Sequence, residues 1–253
     1  MKSKLSAALV AVSLWPVAGT ARADTTVLFD GTFNDTTAAP IFTEATGAII
    51  SATVCVSCGN PGAAIQGLFN FTSATGPSFS SAAGMIDNLL SYNPALQGAI
   101  TSISATADKN VTLTGVSTVF QANGFNLLIE QDDKFYRASG NPIPFNCTSS
   151  ISCSSGFLAA SATGLTASAF SLFDFTTNTL DPSVHPNFAG DAIKFGVFFS
   201  PNIGAGQSVT AVYDNLGLTI QSVPGPIAGA GLPGLILACG GILGWWRRRQ
   251  KVA

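Results

Sequence analysis

Short apolar stretches alternate with polar and turn-forming residues through the middle of the chain, residues 24–222. Alternation over four to eight residues is typical of strands that are buried on one face. Clusters of Gly, Pro, Asn and Ser separate these stretches, as turns do. The pattern predicts strands at residues 25–30, 48–55, 65–71, 99–107, 111–119, 125–130, 195–199, 209–213 and 215–220. Many short strands between turns predict an all-β domain, a β-sandwich or jelly roll.

Four segments give other signals. Residues 135–137 are expected to pair back on residues 125–130 as a hairpin across Gln131–Lys134. Residues 84–96 form the one helical candidate, because their Met, Ile and Leu residues fall near helical spacing. Residues 56–62 and 139–156 are rich in turn-forming residues and are predicted to be loops.

The C-terminal segment has a different character. An uncharged apolar run from Ile227 to Trp246 is followed directly by Arg247, Arg248 and Arg249. A helix of about 20 residues spans roughly 30 Å, the thickness of the hydrocarbon core of a bilayer. Arginines after such a helix act as a stop-transfer signal and stay on the cytoplasmic side. We therefore expect a transmembrane helix at 227–246 and a cytoplasmic basic end at 247–253.

The N-terminal 23 residues resemble a secretory signal peptide. Lys2 and Lys4 form a basic start, residues 5–17 are apolar but too short to span a bilayer, and Ala21 and Ala23 provide a small-x-small cleavage site. The mature chain is therefore expected to begin at Asp24, outside the cytoplasm. The predicted organisation is a signal peptide at 1–23, an ectodomain at 24–222 and a tail at 223–253.

The charge of the ectodomain differs from that of the whole chain. Seven of the 11 basic residues lie in the terminal segments, whereas all 13 acidic residues lie in the ectodomain, which therefore carries a net charge of −9. Such a surface does not attract nucleic acid or anionic lipid. It is compatible with neutral sugars, calcium or cationic partners.

The tail resembles the sorting tail of bacterial PEP-CTERM proteins. Val223, Pro224 and Pro226 match the Val-Pro-Glu-Pro-like motif of that family, and Gly225 stands where the family usually has Glu. The apolar run and the arginine cluster follow in the family's order. The resemblance covers about an eighth of the chain. It implies recognition by a membrane peptidase called exosortase, export, and a link to exopolysaccharide or biofilm matrix.

Several short ectodomain motifs resemble concanavalin-like, laminin-domain or carbohydrate-binding jelly rolls. They are the segments 59–62, 128–131, 135–137, 170–175 and 213–215. This resemblance implies a β-sandwich fold and does not specify a ligand.

Four of the five cysteines lie in the ectodomain, in two close pairs. Outside the cytoplasm, an even number of cysteines first indicates disulfides. Four cysteines allow three pairings, and we favour the local ones, Cys55–Cys58 and Cys147–Cys153, because each pair flanks its own turn. A zinc site would need all four thiolates together, and a thioredoxin-like role for Cys55 and Cys58 lacks the helix that normally follows the motif.

Few residues suggest catalysis. His185 is the single histidine and lies in a predicted loop, and the sequence has no nucleophile elbow, phosphate loop or dinucleotide fingerprint. Glu130 could serve in a carboxylate pair for glycoside hydrolysis. Together with Asp132 and Asp133 it could also bind calcium, although a solvated hairpin turn is the simpler interpretation.

Three hypotheses of function follow. The first is a non-enzymatic, exported surface or matrix protein that needs no cofactor. The second is a carbohydrate-binding module that uses Tyr92, Tyr136 and Tyr213 as exposed platforms. The third is a glycosidase that uses Glu130. Every tryptophan lies in a terminal segment, which weakens the second hypothesis.

Overall fold

The computed structural model describes residues 23–75, 80–115, 119–147, 152–201 and 204–223, and within residues 119–124 and 139–147 it describes the backbone alone. This part of the chain is almost entirely β-structure. The strands, in chain order, are β1 (Asp24–Asp30), β2 (Thr36–Ala38), β3 (Phe42–Thr43), β4 (Ile49–Gly59), β5 (Gly62–Asn70), β6 (Ser81–Tyr92), β7 (Ile100–Thr114), β8 (Val119–Gln131), β9 (Lys134–Cys147), β10 (Ser152–Ser154), β11 (Leu158–Leu165), β12 (Ser171–Asp174), β13 (Thr179–Asp181), β14 (Ile193–Phe199) and β15 (Ser208–Ser222). One helical turn, α1 (Pro94–Gln97), and a 3-10 turn at Ala167–Ala169 complete these elements.

The first sheet is built around its last strand. It has seven strands, with the order β10-β7-β15-β5-β4. The long strand β15 pairs along one side with β7 and along the other with β5 and then β1. On the far side of β7, β10 and β11 pair with different parts of that strand. All of these pairs are antiparallel.

The second sheet has eight strands, in the order β13-β12-β9-β8-β14-β6-β2, with β3 also paired to β6. Its centre is the hairpin of β8 and β9 and the short strand β14. Six of the seven residues of β14 are buried. A central strand with both faces covered reads as a continuous apolar run, which is why residues 195–199 lack alternation.

The main core lies between the two sheets. Tyr213 of the first sheet contacts two aromatic residues of the second, with ring centroids 5.7 Å from Phe125 and 5.3 Å from Phe199. Inward-facing residues of β7 and β15 belong to the same buried cluster as those of β8 and β14. The predicted all-β fold with two packed sheets is therefore confirmed.

A second, smaller core covers the outer face of the second sheet. It contains Ala39, Ala82, Ile86, Leu128, Phe173, Phe175 and Phe198. Phe173 packs against Phe198 with ring centroids 4.7 Å apart, and the Arg137 guanidinium lies 5.0 Å from the Phe198 ring centroid. Both faces of the second sheet are thus buried over part of their area.

The prediction of a helix at residues 84–96 is wrong. Residues 81–92 form strand β6, and helix is limited to the single turn Pro94–Gln97. Residues 81–87 are buried throughout, because one side of the strand faces the main core and the other faces the smaller one. Burial on both faces removes the alternation that identifies a strand, so apolar residues at helical spacing gave a misleading signal.

The two predicted loops are also largely strand. Residues 56–59 continue β4, and β5 begins at Gly62, so that a tight connection replaces the longer loop. In the second case, β9 runs to Cys147 and includes Pro142 and Pro144. Over the described residues, β12 pairs with β9 only at residues 135–137, so both prolines lie where β9 is paired on one side. Edge positions are where strands tolerate proline.

The two terminal predictions lie outside the described residues, apart from Ala23 and Val223. These are the signal peptide with Ala21, and the tail with Pro224, Gly225, Pro226, the 227–246 span and Arg247 to Arg249. Across the part of the chain that the structure does describe, no helix combines the length and the hydropathy needed to cross a bilayer.

Candidate functional site

The Cys55–Cys58 disulfide is present, as predicted. Both cysteines lie near the end of β4, just before the chain turns at Asn60 and Pro61 into β5. Cys153 is also disulfide-bonded. It lies on β10, whereas the Cys147 side chain is outside the described part of the molecule, so the Cys147–Cys153 pairing stays a prediction.

Glu130 lies at the end of β8, in the predicted hairpin. Its Oε2 is 3.6 Å from Nζ of Lys194, which is its cross-strand neighbour on β14. Asp132 and Asp133 form the turn, and both adopt positive φ, as a two-residue type I′ turn requires. Their side chains are exposed. The acidic cluster at residues 130–133 is therefore a solvated hairpin turn with an ion pair at its base.

The tyrosines proposed as sugar platforms are buried, so that assignment is wrong. Tyr92, Tyr136 and Tyr213 expose 1%, 5% and 0% of their surface. The Tyr92 hydroxyl lies 2.9 Å from the Gly98 carbonyl and donates to it, and the Tyr213 hydroxyl accepts a hydrogen bond from the Asn126 N–H. All three rings belong to the main core, and the hydroxyl groups of Tyr92 and Tyr213 have hydrogen-bond partners, which is the usual arrangement for a buried tyrosine.

His185 lies in the loop after β13, as predicted. Its Nδ1 is 2.6 Å from the carbonyl oxygen of Phe170. A carbonyl can only accept, so Nδ1 carries the proton in this hydrogen bond. In the same region, Gln131 binds the following loop by accepting from Asn187 N–H and donating to the carbonyls of Asn187 and Asp191. These contacts fasten the 185–191 loop to the end of β8.

A polar cluster that the sequence did not reveal anchors the β4–β5 turn to β15. Asp214 is fully buried, and its Oδ2 accepts a hydrogen bond from Asn60 N–H, while its Oδ1 accepts from Asn215 N–H at 2.7 Å. The Asn215 amide donates to Asp108 Oδ2 at 2.9 Å and to the Asn60 carbonyl at 3.2 Å. A Cβ on Gly59 would lie 2.8 Å from Asp214 Oδ2, so glycine is needed for this close approach.

Asn215 has positive φ at the point where the register of β15 shifts between Asp214 and Gly217. This is a β-bulge, which re-aims side chains locally. Strand alternation places Tyr213 and Asp214 on opposite faces, and the bulge after them lets the Asn215 amide reach Asp108 and the Asn60 carbonyl.

A lysine lies on the inner side of the first sheet. Lys109 of β7 alternates with the core residues Ala107 and Val111, and only 6% of its surface is exposed. Its Nζ lies 4.8 Å from the centroid of the Tyr213 ring. Burial lowers the pKa of Lys109 to about 7, because desolvation disfavours the charged amine.

Two carboxyl groups meet between the sheets. Asp30 ends β1 in the first sheet, Asp87 lies in β6 of the second, and both are buried. The two side chains are close enough that each affects the pKa of the other. Asp30 Oδ1 accepts from Thr32 N–H, the Thr32 hydroxyl and Phe33 N–H at 2.6, 2.7 and 3.2 Å, and Asp87 Oδ1 accepts from Leu89 N–H at 3.0 Å.

The two carboxyl groups differ electrostatically. Burial raises the pKa of Asp87 to about 7, and the charge of Asp30 adds to this effect. Burial also acts to raise the pKa of Asp30, but the hydrogen bonds from Thr32 and Phe33, with a smaller effect of Asp87, hold it below its ordinary value. The proton of the pair therefore belongs to Asp87.

The sequence analysis does not predict the Asp214–Asn215 cluster, the burial of Lys109 or the Asp30–Asp87 pair. Asp30 and Asp87 are far apart in the chain, and Asp87 lay in a segment predicted as helix. The sequence does contain a signal for the burial of Lys109. Residues 107, 109 and 111 share one face of a strand, and the first and last of them are apolar. Elsewhere, no three His, Cys, Asp or Glu side chains among the described residues converge on a possible metal position.

No protein-family model matches the chain, and no curated protein matches it.

Proposed function

We propose that this chain is an exported, non-enzymatic structural protein of the cell surface or extracellular matrix, delivered by a PEP-CTERM-like tail. The observation that carries the proposal is the order of its parts. A secretory signal at 1–23 precedes a disulfide-bonded β-domain, and a proline spacer, an apolar run and an arginine cluster follow it. The transmembrane helix at 227–246, an exosortase-type peptidase and association with extracellular polysaccharide belong to this proposal.

The ends of the β-domain support such a topology. The last strand ends at Ser222, and Val223 N–H donates to the Ala99 carbonyl at 2.9 Å before the proline spacer begins. Asp24, the expected first residue of the mature chain, pairs with Ser222. A domain with both ends at one pole can be exported and then held by its C-terminus without rearranging its sheets.

The use of polar side chains supports a structural role. Glu130 is in an ion pair with Lys194, and Asp214 holds the β4–β5 turn. The Cys55–Cys58 disulfide suits an oxidising compartment. Glu130 and the Cys55–Cys58 pair, which the sequence offered for catalysis and redox chemistry, thus have roles in the fold.

Fractionation of a tagged chain, expressed with and without an exosortase, tests this proposal. Proline cannot continue a helix or donate to a strand, so Pro224 and Pro226 should keep the spacer extended and open to a peptidase. We expect Pro224→Ala with Pro226→Ala to leave membrane insertion intact and to block exosortase-dependent release. Pro182→Ala, at an exposed ectodomain proline, is the matched control and should be released like wild type.

Two outcomes would count against the proposal. If the double variant is released like wild type, the tail is a plain anchor and not a sorting signal. If the mature N-terminus retains residues 5–17, the export signal is misidentified.

Replacing Arg247, Arg248 and Arg249 with Ser should instead weaken membrane retention, since the cytoplasmic positive charge is lost.

A further inference from the structure

The Asp30–Asp87 pair connects the two sheets at the flank where β1 lies against β6. Asp30 is on the same side of β1 as Leu28, and Asp87 is on the same side of β6 as Ala83 and Met85. All three of those neighbours belong to the main core or pack against it. The two carboxyl groups therefore face each other in a region from which water is largely excluded.

Each carboxyl group has one oxygen that no described donor satisfies. Oδ2 of Asp30 and Oδ2 of Asp87 are buried and receive no hydrogen bond from the described residues. Two ionised carboxylates cannot donate to each other, whereas a proton on one carboxyl group allows it to donate to the other. Without that proton, two negative charges would be buried side by side, which is strongly unfavourable.

The charged groups on the neighbouring elements have other partners. Asp35, in the connection before β2, accepts from the Asn88 amide at 3.0 Å. On β14, Lys194 is paired with Glu130, and on β15, Asp214 accepts from Asn60 and Asn215. None of these groups neutralises the Asp30–Asp87 pair, so the proton that the pair holds is what reduces its negative charge.

We propose that Asp30 and Asp87 form a proton-dependent clamp between the two sheets, closed while the pair shares one proton and weakened when both carboxylates are ionised. The clamp holds β1, which pairs in the first sheet with one half of β15. When the proton is lost, the carboxylates of Asp30 and Asp87 repel each other and push β1 away from β6. The rest of the first sheet stays in place, because β7 still pairs with β15 along its length. The clamp is independent of the sorting tail.

The direction of the pH dependence follows from the proton balance. Asp87 binds its proton more tightly in the folded than in the unfolded chain, where its pKa is near 4. The stabilising effect of this group is therefore complete below about pH 4, and it is lost as the pH rises to about 7. Between these limits, mild acid should tighten the β1 flank and neutral to alkaline conditions should loosen it.

Amide hydrogen exchange on the ectodomain with its tail tests the clamp. After correction for the intrinsic exchange rate, protection of the β1 amides should fall about tenfold or more between about pH 5 and pH 8, while protection in β7 changes little. Asp87→Asn imitates the protonated carboxyl, since its amide can donate to Asp30 Oδ2. In this variant, β1 should stay protected at the higher pH.

The control is Asp35→Asn, which removes a nearby exposed carboxylate and should leave the pH dependence of β1 as in wild type. The same fall in Asp87→Asn as in wild type would overturn the clamp. So would restoration of protection at pH 8 by calcium and its loss with a chelator, because the pair would then be a metal site. If Asp87→Asn does not fold, the carboxyl carbon of Asp87 in the wild-type chain decides by NMR: a titration midpoint near pH 4 overturns the proposal, and one near neutrality supports it.

Discussion

Buried ionisable side chains contribute to the pH dependence of this domain's stability. Lys109 places an amine inside the sandwich, where burial lowers its pKa to about 7. In the unfolded chain the amine keeps its ordinary pKa near 10.4, so between these values the unfolded state binds more protons than the folded one. Stability from this group therefore rises with pH from about 7 to about 10, opposite in sign to the effect of Asp87 at lower pH.

We predict that Lys109→Met removes the alkaline rise. A pKa difference of this size corresponds to about 5 kcal/mol of unfolding free energy across the window. Methionine fills a similar volume beside the Tyr213 ring without carrying a charge. Urea unfolding between about pH 6 and pH 10 should show a rise for wild type and a flat profile for the variant, which should be the more stable of the two at pH 6.

The exposed Lys134 of the hairpin turn provides the control, because Lys134→Met should leave the wild-type profile unchanged. A variant of Lys109 that keeps the alkaline rise would show that the rise comes from another group.

At the scale of elements, β14 depends on a glycine at the middle of the second sheet. Gly196 is paired on one side with β6 and on the other with β8. A Cβ at this position would overlap the Met85 carbonyl oxygen and would lie 2.7 Å from Ile86 Cα. Both atoms are backbone, so they can move only if β6 moves.

We expect Gly196→Ala to destabilise the domain by about 3 kcal/mol or more, the upper range for overpacking, or to abolish the cooperative transition. Gly204→Ala is the matched control. Its Cβ would find Gln207 Oε1 as the nearest atom, at 3.9 Å, and its effect should stay within about 0.5 kcal/mol. Thermal unfolding of both variants measures the difference. A Gly196→Ala domain as stable as wild type would mean that β14 at Gly196 is not closely packed against β6.

The Cys55–Cys58 disulfide and the hydrogen bonds to Asp214 both hold the β4–β5 turn, and they contribute differently to the free energy of unfolding. A disulfide closing so short a loop as Cys55–Cys58 should contribute only about 2 kcal/mol. Asp214 accepts hydrogen bonds from two backbone N–H groups, and its loss leaves two partly buried donors without that acceptor, at up to about 1–3 kcal/mol each. We therefore predict that Asp214→Ala costs more stability than Cys55→Ser with Cys58→Ser. Equal costs, or the reverse order in urea unfolding, would contradict this.

The elements that could be predicted from the sequence are those with a local signal. The hairpin at Gln131–Lys134 has turn residues that tolerate positive φ between two apolar runs, and it forms as expected. Strand β6 has no such signal, because Gly84 and its alanine neighbours are small enough to pack between two cores. A Cβ on Gly84 would lie 2.7 Å from Leu128 Cδ2. Two-sided burial is a property of the assembled sheets, which a local pattern does not contain.

The same distinction holds for the polar groupings. Cys55 and Cys58 are three residues apart, and their disulfide was predicted. Asp30 and Asp87 come together only because β1 joins the first sheet and β6 joins the second. Tyr92, Tyr136 and Tyr213 are buried and not exposed as predicted, for a related reason. The side of a strand that a residue faces depends on the register of strand pairing.

At the scale of the whole molecule, β15 sets the long dimension and gives the domain two distinct poles. It extends from Ser208 to Ser222, which at about 3.3 Å per residue is roughly 46 Å. Asp24 and Thr25 pair with the Ser222 end. At the Ser208 end, the Gly206 N–H donates to the Phe71 carbonyl at 2.9 Å, so the 204–207 turn lies at the opposite pole.

If the proposed tail inserts in a membrane, the Ser222 pole lies next to the lipid, because only the short proline spacer separates it from the apolar run. A label at Thr25→Cys should then be close to the bilayer, and one at Ala205→Cys should be far from it. Both variants are made with Cys239→Ala, so that the tail carries no competing thiol. In vesicles with a headgroup quencher, we expect strong quenching at position 25 and little at position 205. Equal quenching at both positions would mean that the domain lies flat on the membrane, and stronger quenching at position 205 would mean that the chain is not held by its C-terminus.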